Sequence, residues 1–166
     1  MLIGVMGDTH GDSEAIKQAV DAAGTVDVWL HCGDFAADGE FLAGLTGLTV
    51  IGVSGNCDGM TQAKADEYFD HGSVKIWLTH GHHYHSYRMT EELVGQAGQR
   101  KAQVVVYGHT HVAYHSWHEG ILVFNPGSPS RPRGGGFPSC GVLSVGDDGS
   151  VSARIVKVAT LQQNKI

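Results

Sequence analysis

Two aspartates, one asparagine and four histidines follow short apolar runs that end in glycine or threonine: Asp8, His10, Asp34, Asn56, His80, His109 and His111. Carboxylates and imidazoles in one set suit borderline divalent ions such as Mn, Fe, Ni, Co or Zn, whereas an oxygen-only set suits Mg or Ca. Seven side chains exceed the needs of one ion, so two are expected. A carboxylate can bridge a pair, and Asp34 is the natural bridge because it stands alone at its strand end between the Asp8/His10 and Asn56 loops. Two ions about 3.5–4 Å apart clamp the attacking and leaving oxygens of an in-line displacement and lower the pKa of a shared water toward about 7. Phosphoester hydrolysis by a hydroxide between the ions is the reaction that most needs this arrangement.

The elements that must carry these residues are legible as periodicity. Leu2–Gly7, Val28–Gly33, Val50–Gly55, Val74–Thr79 and Val104–Gly108 are short runs rich in β-branched residues and read as buried strands. Intervening stretches hold helices: Ser13–Ala23 opened by Asp12 or Ser13, Asp38–Leu45, and Thr90–Ala102 with acids at its start and bases at its end. Parallel strands joined by crossovers gather their carboxyl ends around one crevice, where ligands of α/β sheets bind. After His111 the pattern changes to alternating runs, Val112–Trp117, Ile121–Phe124, Cys140–Val145 and Val151–Val158, separated by hairpin signals. These predict an antiparallel sheet packed face to face on the first. Asn125–Pro138 contains all four prolines with Arg131 and Arg133 among glycines, and reads as an ordered loop or flap near the site.

Composition bounds the function classes. A chain of 166 residues with 42% hydrophobic content can bury one substantial core, and no linker or repeat divides it, so residues 1–166 read as a single domain. A formal charge of −6 argues against stable nucleic-acid binding, while bound cations would still admit a small anionic substrate. Cys32, Cys57 and Cys140 form neither a disulfide framework nor a zinc ribbon, and a reducing cytoplasm is the simpler setting. Asp8 interrupts the first apolar run too early for a signal peptide or a membrane span.

Taken in order, Asp8-Thr9-His10, Gly33-Asp34, Gly55-Asn56-Cys57-Asp58, His80-Gly81-His82 and Gly108-His109-Thr110-His111 resemble the D-x-H, G-D, G-N-x-D, H and G-H-x-H blocks of the calcineurin-like metallophosphoesterases. Asn125-Pro126-Gly127-Ser128 resembles a loop of that family's small bacterial and archaeal phosphodiesterase subgroup. The resemblance implies an α/β fold of four layers, a two-sheet β-sandwich flanked by helices, and a dinuclear site with manganese as the first choice of metal. It assigns Asp8, His10, Asp34 and His111 to one ion, and Asp34, Asn56, His80 and His109 to the other. Cys57 occupies the position where much of the family has a histidine that contacts phosphate and assists the leaving group. A thiol of ordinary pKa is a poor proton donor near neutral pH, so His82 is a candidate for the missing acid. Asn56, Asp58 and His82 are thus the catalytic candidates, Asp58 as a supporting or turn residue, and Asn56, Cys57 and Arg131 are the candidate substrate contacts.

Each feature also has a plainer reading. Asp8 and His10 could cap the first helix, Asn56 and Asp58 could be turn formers, and Arg131 and Arg133 could simply solubilise a loop. His83, His85, His115 and His118 sit in polar contexts without partners, and His31 and His71 suggest no role. A non-catalytic scaffold, as in the retromer subunit that resembles this family, or a metal-dependent ligand sensor is the alternative to a phosphodiesterase. Every ligand position here holds a competent residue. Homo-oligomerisation is compatible with these features.

Overall fold

A computed structural model of the chain describes residues 1–159. Residues 160–166, part of the predicted domain, lie outside the described residues. The elements run β1 (Leu2–Met6), α1 (Ser13–Ala23), β2 (Val28–His31), α2 (Ala37–Thr46), β3 (Val50–Gly52), β4 (Asp66–His71), β5 (Val74–Thr79), α3 (Met89–Arg100), β6 (Val104–Val106), β7 (Tyr114–His118), β8 (Ile121–Asn125), β9 (Ser139–Val145) and β10 (Val151–Lys157).

Two five-stranded mixed sheets result, in the orders β10-β9-β1-β2-β3 and β4-β5-β6-β8-β7. Within the first, β1, β2 and β3 are parallel; within the second, β5, β6 and β8 are parallel. The crevice expected from one set of parallel strands is therefore built between two sheets. The late strands do not make a sheet of their own, as the hairpin pattern suggested. β9 instead covers the free edge of β1, with Ile3 opposite Leu143, and β8 lies beside β6, with Val106 opposite Phe124. In both cases the added strand brings an apolar inner face to an edge that would otherwise leave buried amides unpaired. β4 was not anticipated, because Asp-Glu-Tyr-Phe-Asp-His is polar and lies at a half-exposed sheet edge.

Alternation along the strands makes the four layers. Ile3, Val5, Leu30, Leu143, Ile76, Leu78, Val106 and Phe124 point between the sheets and form the central core. Met6 and Trp29 point outward to Ile16, Ala19 and Leu42 of α1 and α2, while Trp77, Val105 and Val123 meet Leu93 and Ala97 of α3. Gly4 is small for a reason: a β-carbon there would lie 2.5 Å from the Trp29 ring. α1 is capped by Asp12, whose Oδ1 accepts the Ala15 amide at 2.9 Å. Among the described residues no helix is long and apolar enough to cross a membrane.

Candidate metal centre

The chemistry-bearing residues lie immediately after β1, β2, β5 and β6, with Asn56 in the loop that follows β3. Their backbone is unusual. Asp8, His10, Asp34, His109 and His111 all have positive φ, between 52° and 66°, and so does Phe35 at 67°. Residues other than glycine rarely adopt this region, and strain of this kind persists only where the surroundings over-determine it. His109 and His111 thus present their rings from left-handed turns.

The surroundings that enforce these turns are visible. The Ser128 hydroxyl donates to the Asp8 carbonyl at 2.8 Å, and the Ser130 hydroxyl donates to the Thr9 carbonyl at 3.0 Å. Thr9 bonds the carboxylate of Asp38 and lies 3.0 Å from Nε2 of His31, and the Asp38 carboxylate also accepts the Gly11 amide at 2.8 Å. His31, fully buried and given no role from sequence, therefore props the Asp8 loop. Asn125 donates to the Gly108 carbonyl at 2.9 Å and so sets the turn before His109. Gly33 and Gly108 let the loops close: a β-carbon on either would stand 2.6 Å from His80 or 2.9 Å from Asp8.

One donor atom from each of Asp8, His10, Asp34 and His111 lies within 4.8 Å of the other three. His10 Nε2 is 3.2 Å from His111 Nε2 and 3.8 Å from Asp34 Oδ2. His111 Nδ1 is 2.7 Å from the Arg131 carbonyl, which can only accept, so its proton is fixed there and Nε2 faces the cluster with a lone pair. Asp8 Oδ2 is buried with no hydrogen-bond partner among the described residues. A buried carboxylate oxygen without a partner is costly, and a cation relieves that cost. The donor set thus fits a borderline divalent ion in both composition and arrangement.

His80 extends the cluster, with Nε2 3.2 Å from Asp8 Oδ1 and 3.4 Å from Asp34 Oδ1. His109 packs edge-on to His80, ring centres 5.2 Å apart. Asn56 is exposed, and its amide nitrogen is 3.6 Å from Cys57 Sγ. Asp58 is fully engaged: its oxygens accept the Ala36 amide at 2.6 Å and the Gly55 amide at 2.7 Å, which ties the Asn56 loop to the start of α2. His82 turns Nδ1 toward His80 Nδ1 at 3.0 Å, so one ring donates and the other accepts. Arg131 is held at its amide by Ser128 at 2.8 Å and leaves its side chain exposed, its charge felt at His10.

Burial lowers the pKa of His10, His82, His109 and His31, opposed at His10 by Asp34 and reinforced at His82 by His83 and at His109 by His80. Burial pushes Asp34 up, but the Cys57 amide, His80 and the Cys57 thiol outweigh it and hold the carboxyl below its usual range. Neutral imidazoles around an ionised carboxylate are the protonation states a metal requires. The Cys57 thiol is pushed up, first by burial and then by Asp34, and stays protonated.

These shifts carry a stability consequence. Between the lowered folded pKa values of the histidines and the ordinary value of about 6.5, the unfolded chain binds more protons than the folded one, so stability rises with pH there. The melting temperature of metal-free protein is expected to be nearly flat above about pH 7 and to fall as pH drops below about 6.5. His31→Gln is expected to flatten part of that fall. A melting temperature that rises on acidification from pH 7 to 5.5 contradicts neutral burial of these rings.

Comparison with known proteins agrees with this geometry. Residues 1–148 match the calcineurin-like phosphoesterase superfamily domain, and the chain belongs to that family. It is 31% identical to a probable metallophosphoesterase of Methanocaldococcus jannaschii over 95% of this chain and 82% of that protein. It is 29% identical to a phosphodiesterase of the same organism over 87% of this chain and 93% of the other. Among solved structures, a Streptococcus pneumoniae protein described as a predicted phosphoesterase superposes with a TM-score of 0.78 at 30% identity, covering 96% of this chain and 92% of that one. Vps29 of Entamoeba histolytica, in complex with zinc, shares the fold with a TM-score of 0.73 at 23% identity, covering 96% and 100% of the two chains.

Proposed function

We propose that this protein is a metal-dependent phosphodiesterase of small molecules, carrying two divalent transition-metal ions, manganese foremost. The observation that carries the reading is the convergence of donor atoms of Asp8, His10, Asp34 and His111 within 4.8 Å of one another, in a cluster where one Asp8 carboxylate oxygen is buried without a hydrogen-bond partner among the described residues. Asp8, His10, Asp34 and His111 would hold one ion, and Asp34, Asn56, His80 and His109 the other. When bound, such ions would supply neutralisation of phosphate charge and activation of water.

The reaction adds water across one P–O bond and yields a phosphomonoester and an alcohol. Asp34 holds negative charge between the two donor sets, and the Cys57 amide keeps that carboxylate ionised and oriented. His82 pairs with Nδ1 of His80 and so holds that ring in place, a role better suited than proton donation to a ring kept neutral by burial. Asp58 positions the Asn56–Cys57 tip, which stands exposed at the lip of the site where a phosphate would arrive. Arg131 offers an exposed guanidinium whose charge is felt at His10.

The likeness to Vps29 supports a second reading, a binding scaffold on the same fold. The four-residue cluster of Asp8, His10, Asp34 and His111 on left-handed turns favours the enzyme, since a scaffold has no need of strained loops converging on carboxylates and imidazoles. The test is a screen of Mn-, Ni-, Fe-, Co- and Zn-reconstituted protein against simple phosphodiesters, phosphomonoesters and cyclic nucleotides. Hydrolysis that is lost on chelation and restored by metal is expected. Metal bound without turnover of any ester would favour the scaffold or a sensor.

A further inference from the structure

A cavity of about 350 Å³ adjoins the donor cluster, lined by His111, Val112, Arg133, Phe137, Ile155 and the Gly134–Gly136 run. His111 is shared by both: it walls the cavity and turns Nε2 to within 3.5 Å of Asp8 Oδ1. The loop that closes the cavity is fastened to the same residue. The Arg133 amide donates to the His111 carbonyl at 3.0 Å, and His111 Nδ1 meets the Arg131 carbonyl at 2.7 Å.

The lining has a definite chemistry. Phe137 is 45% exposed and Val112 40% exposed, so apolar surface is turned to solvent where nothing in the core requires it. Lys157 Nζ stands 5.4 Å from the centre of the Phe137 ring, and Arg133 adds a second cation. The volume lies at the small end of the range for ligand sites and suits one ring system. An aromatic and aliphatic wall, flanked by cations and joined to a phosphate-processing centre, matches a planar aromatic group carried on an anionic ester.

Resting on the phosphodiesterase reading, we propose that this cavity is the subsite for the ester group that is not cleaved, and that it selects a planar aromatic group, either an aryl ring or a nucleobase. Gly134 lets the loop lie close to Val112, where a β-carbon would stand 3.2 Å from its side chain. Dialkyl phosphodiesters would leave the cavity unfilled.

The experiment uses three diesters that all release p-nitrophenolate, namely the bis(p-nitrophenyl), methyl p-nitrophenyl and thymidine 5′-(p-nitrophenyl) phosphates, with Mn-loaded protein. At least one aromatic diester is expected to have a KM about tenfold below that of the methyl ester, in line with the worth of one aromatic contact. The arm that gains distinguishes an aryl from a nucleobase preference. Phe137→Ala, which removes the wall, and Val112→Trp, which fills the cavity, are each expected to bring the three KM values within about twofold. Because Phe137 and Val112 are surface residues, circular dichroism is expected to report intact folds. A parallel binding arm measures diphenyl against dimethyl phosphate by calorimetry. Hydrolysis without aromatic preference, or with a preference that survives both variants, overturns the subsite and leaves the phosphodiesterase standing. No hydrolysis, but tighter diphenyl phosphate binding that Phe137→Ala abolishes, upholds the subsite and overturns the activity. No discrimination in either arm overturns the subsite.

Discussion

Asp34→Asn is expected to empty the site and abolish turnover together. Among the described residues Asp34 touches both donor sets, with Oδ2 3.8 Å from His10 and Oδ1 3.4 Å from His80. It is 2% exposed, and its carboxyl is held ionised by the Cys57 amide and His80 against the opposing effect of burial. Asparagine keeps the shape and can still accept the Cys57 amide, so the loop should survive while the shared charge is lost. Metal activation is worth several kcal/mol, and each 1.36 kcal/mol is tenfold in rate, so a fall in kcat/KM of about three orders of magnitude or more is expected. On the proposed dinuclear reading, bound metal should drop from two ions per chain to less than one. His10→Ala would remove a ligand from one proposed set only and should leave the other ion in place. Elemental analysis and diester turnover on the same preparations decide the matter. Two retained ions with a near-normal rate in Asp34→Asn would show that the bridge lies elsewhere.

Asp34 is also instructive about what a sequence discloses. Its block, and the four others, could be recognised because each lies at the end of an apolar run, and strand ends are where period and composition change together. α1 was legible to the residue, since Asp12 caps it and its apolar positions repeat at helical spacing. What was not legible is which sheet each strand would join. Val104–Val106 and Leu2–Met6 look alike as apolar runs, yet they lie in different sheets because their pairing is decided by β9 and β8, distant in the chain. β4 carries no apolar run at all and is held by its antiparallel register with β5, Tyr68 opposite Trp77. The supports of the site escaped for the same reason. Ser130 and His31 are ordinary polar residues in sequence, and Asn125 and Ser128 stand out only as members of a recognisable loop; long-range hydrogen bonds to the Asp8 and Gly108 turns reveal their purpose. Glycines mark some left-handed turns in advance; Asp8, His10 and His111 adopt the same region without any such mark.

Cys57→His is expected to raise phosphomonoesterase activity more than phosphodiesterase activity. Cys57 stands exposed at the lip of the site, its amide donating to Asp34 Oδ1 at 2.9 Å, so a longer side chain at this position has room to reach a bound phosphate. The native thiol is pushed above its ordinary pKa by burial and by Asp34, and so it offers neither a cation nor a ready proton at neutral pH. Attack on phosphorus does not depend on it, which leaves activated aryl diesters as good substrates because their leaving groups need little protonation. A monoester carries a second negative charge and gains from a cationic imidazole. General acid catalysis is worth about a hundredfold to ten-thousandfold, so even a partly aligned histidine should increase monoester kcat/KM at least tenfold. The same Asp34 that raises the thiol would stabilise an imidazolium, placing the gain at mildly acidic to neutral pH and removing it as pH rises through the histidine pKa. The measurement is kcat/KM for a matched aryl monoester and diester, wild type against Cys57→His, across pH with the same metal. A wild-type preference for the monoester that the substitution leaves unchanged would separate this position from leaving-group chemistry, with the metal centre unaffected.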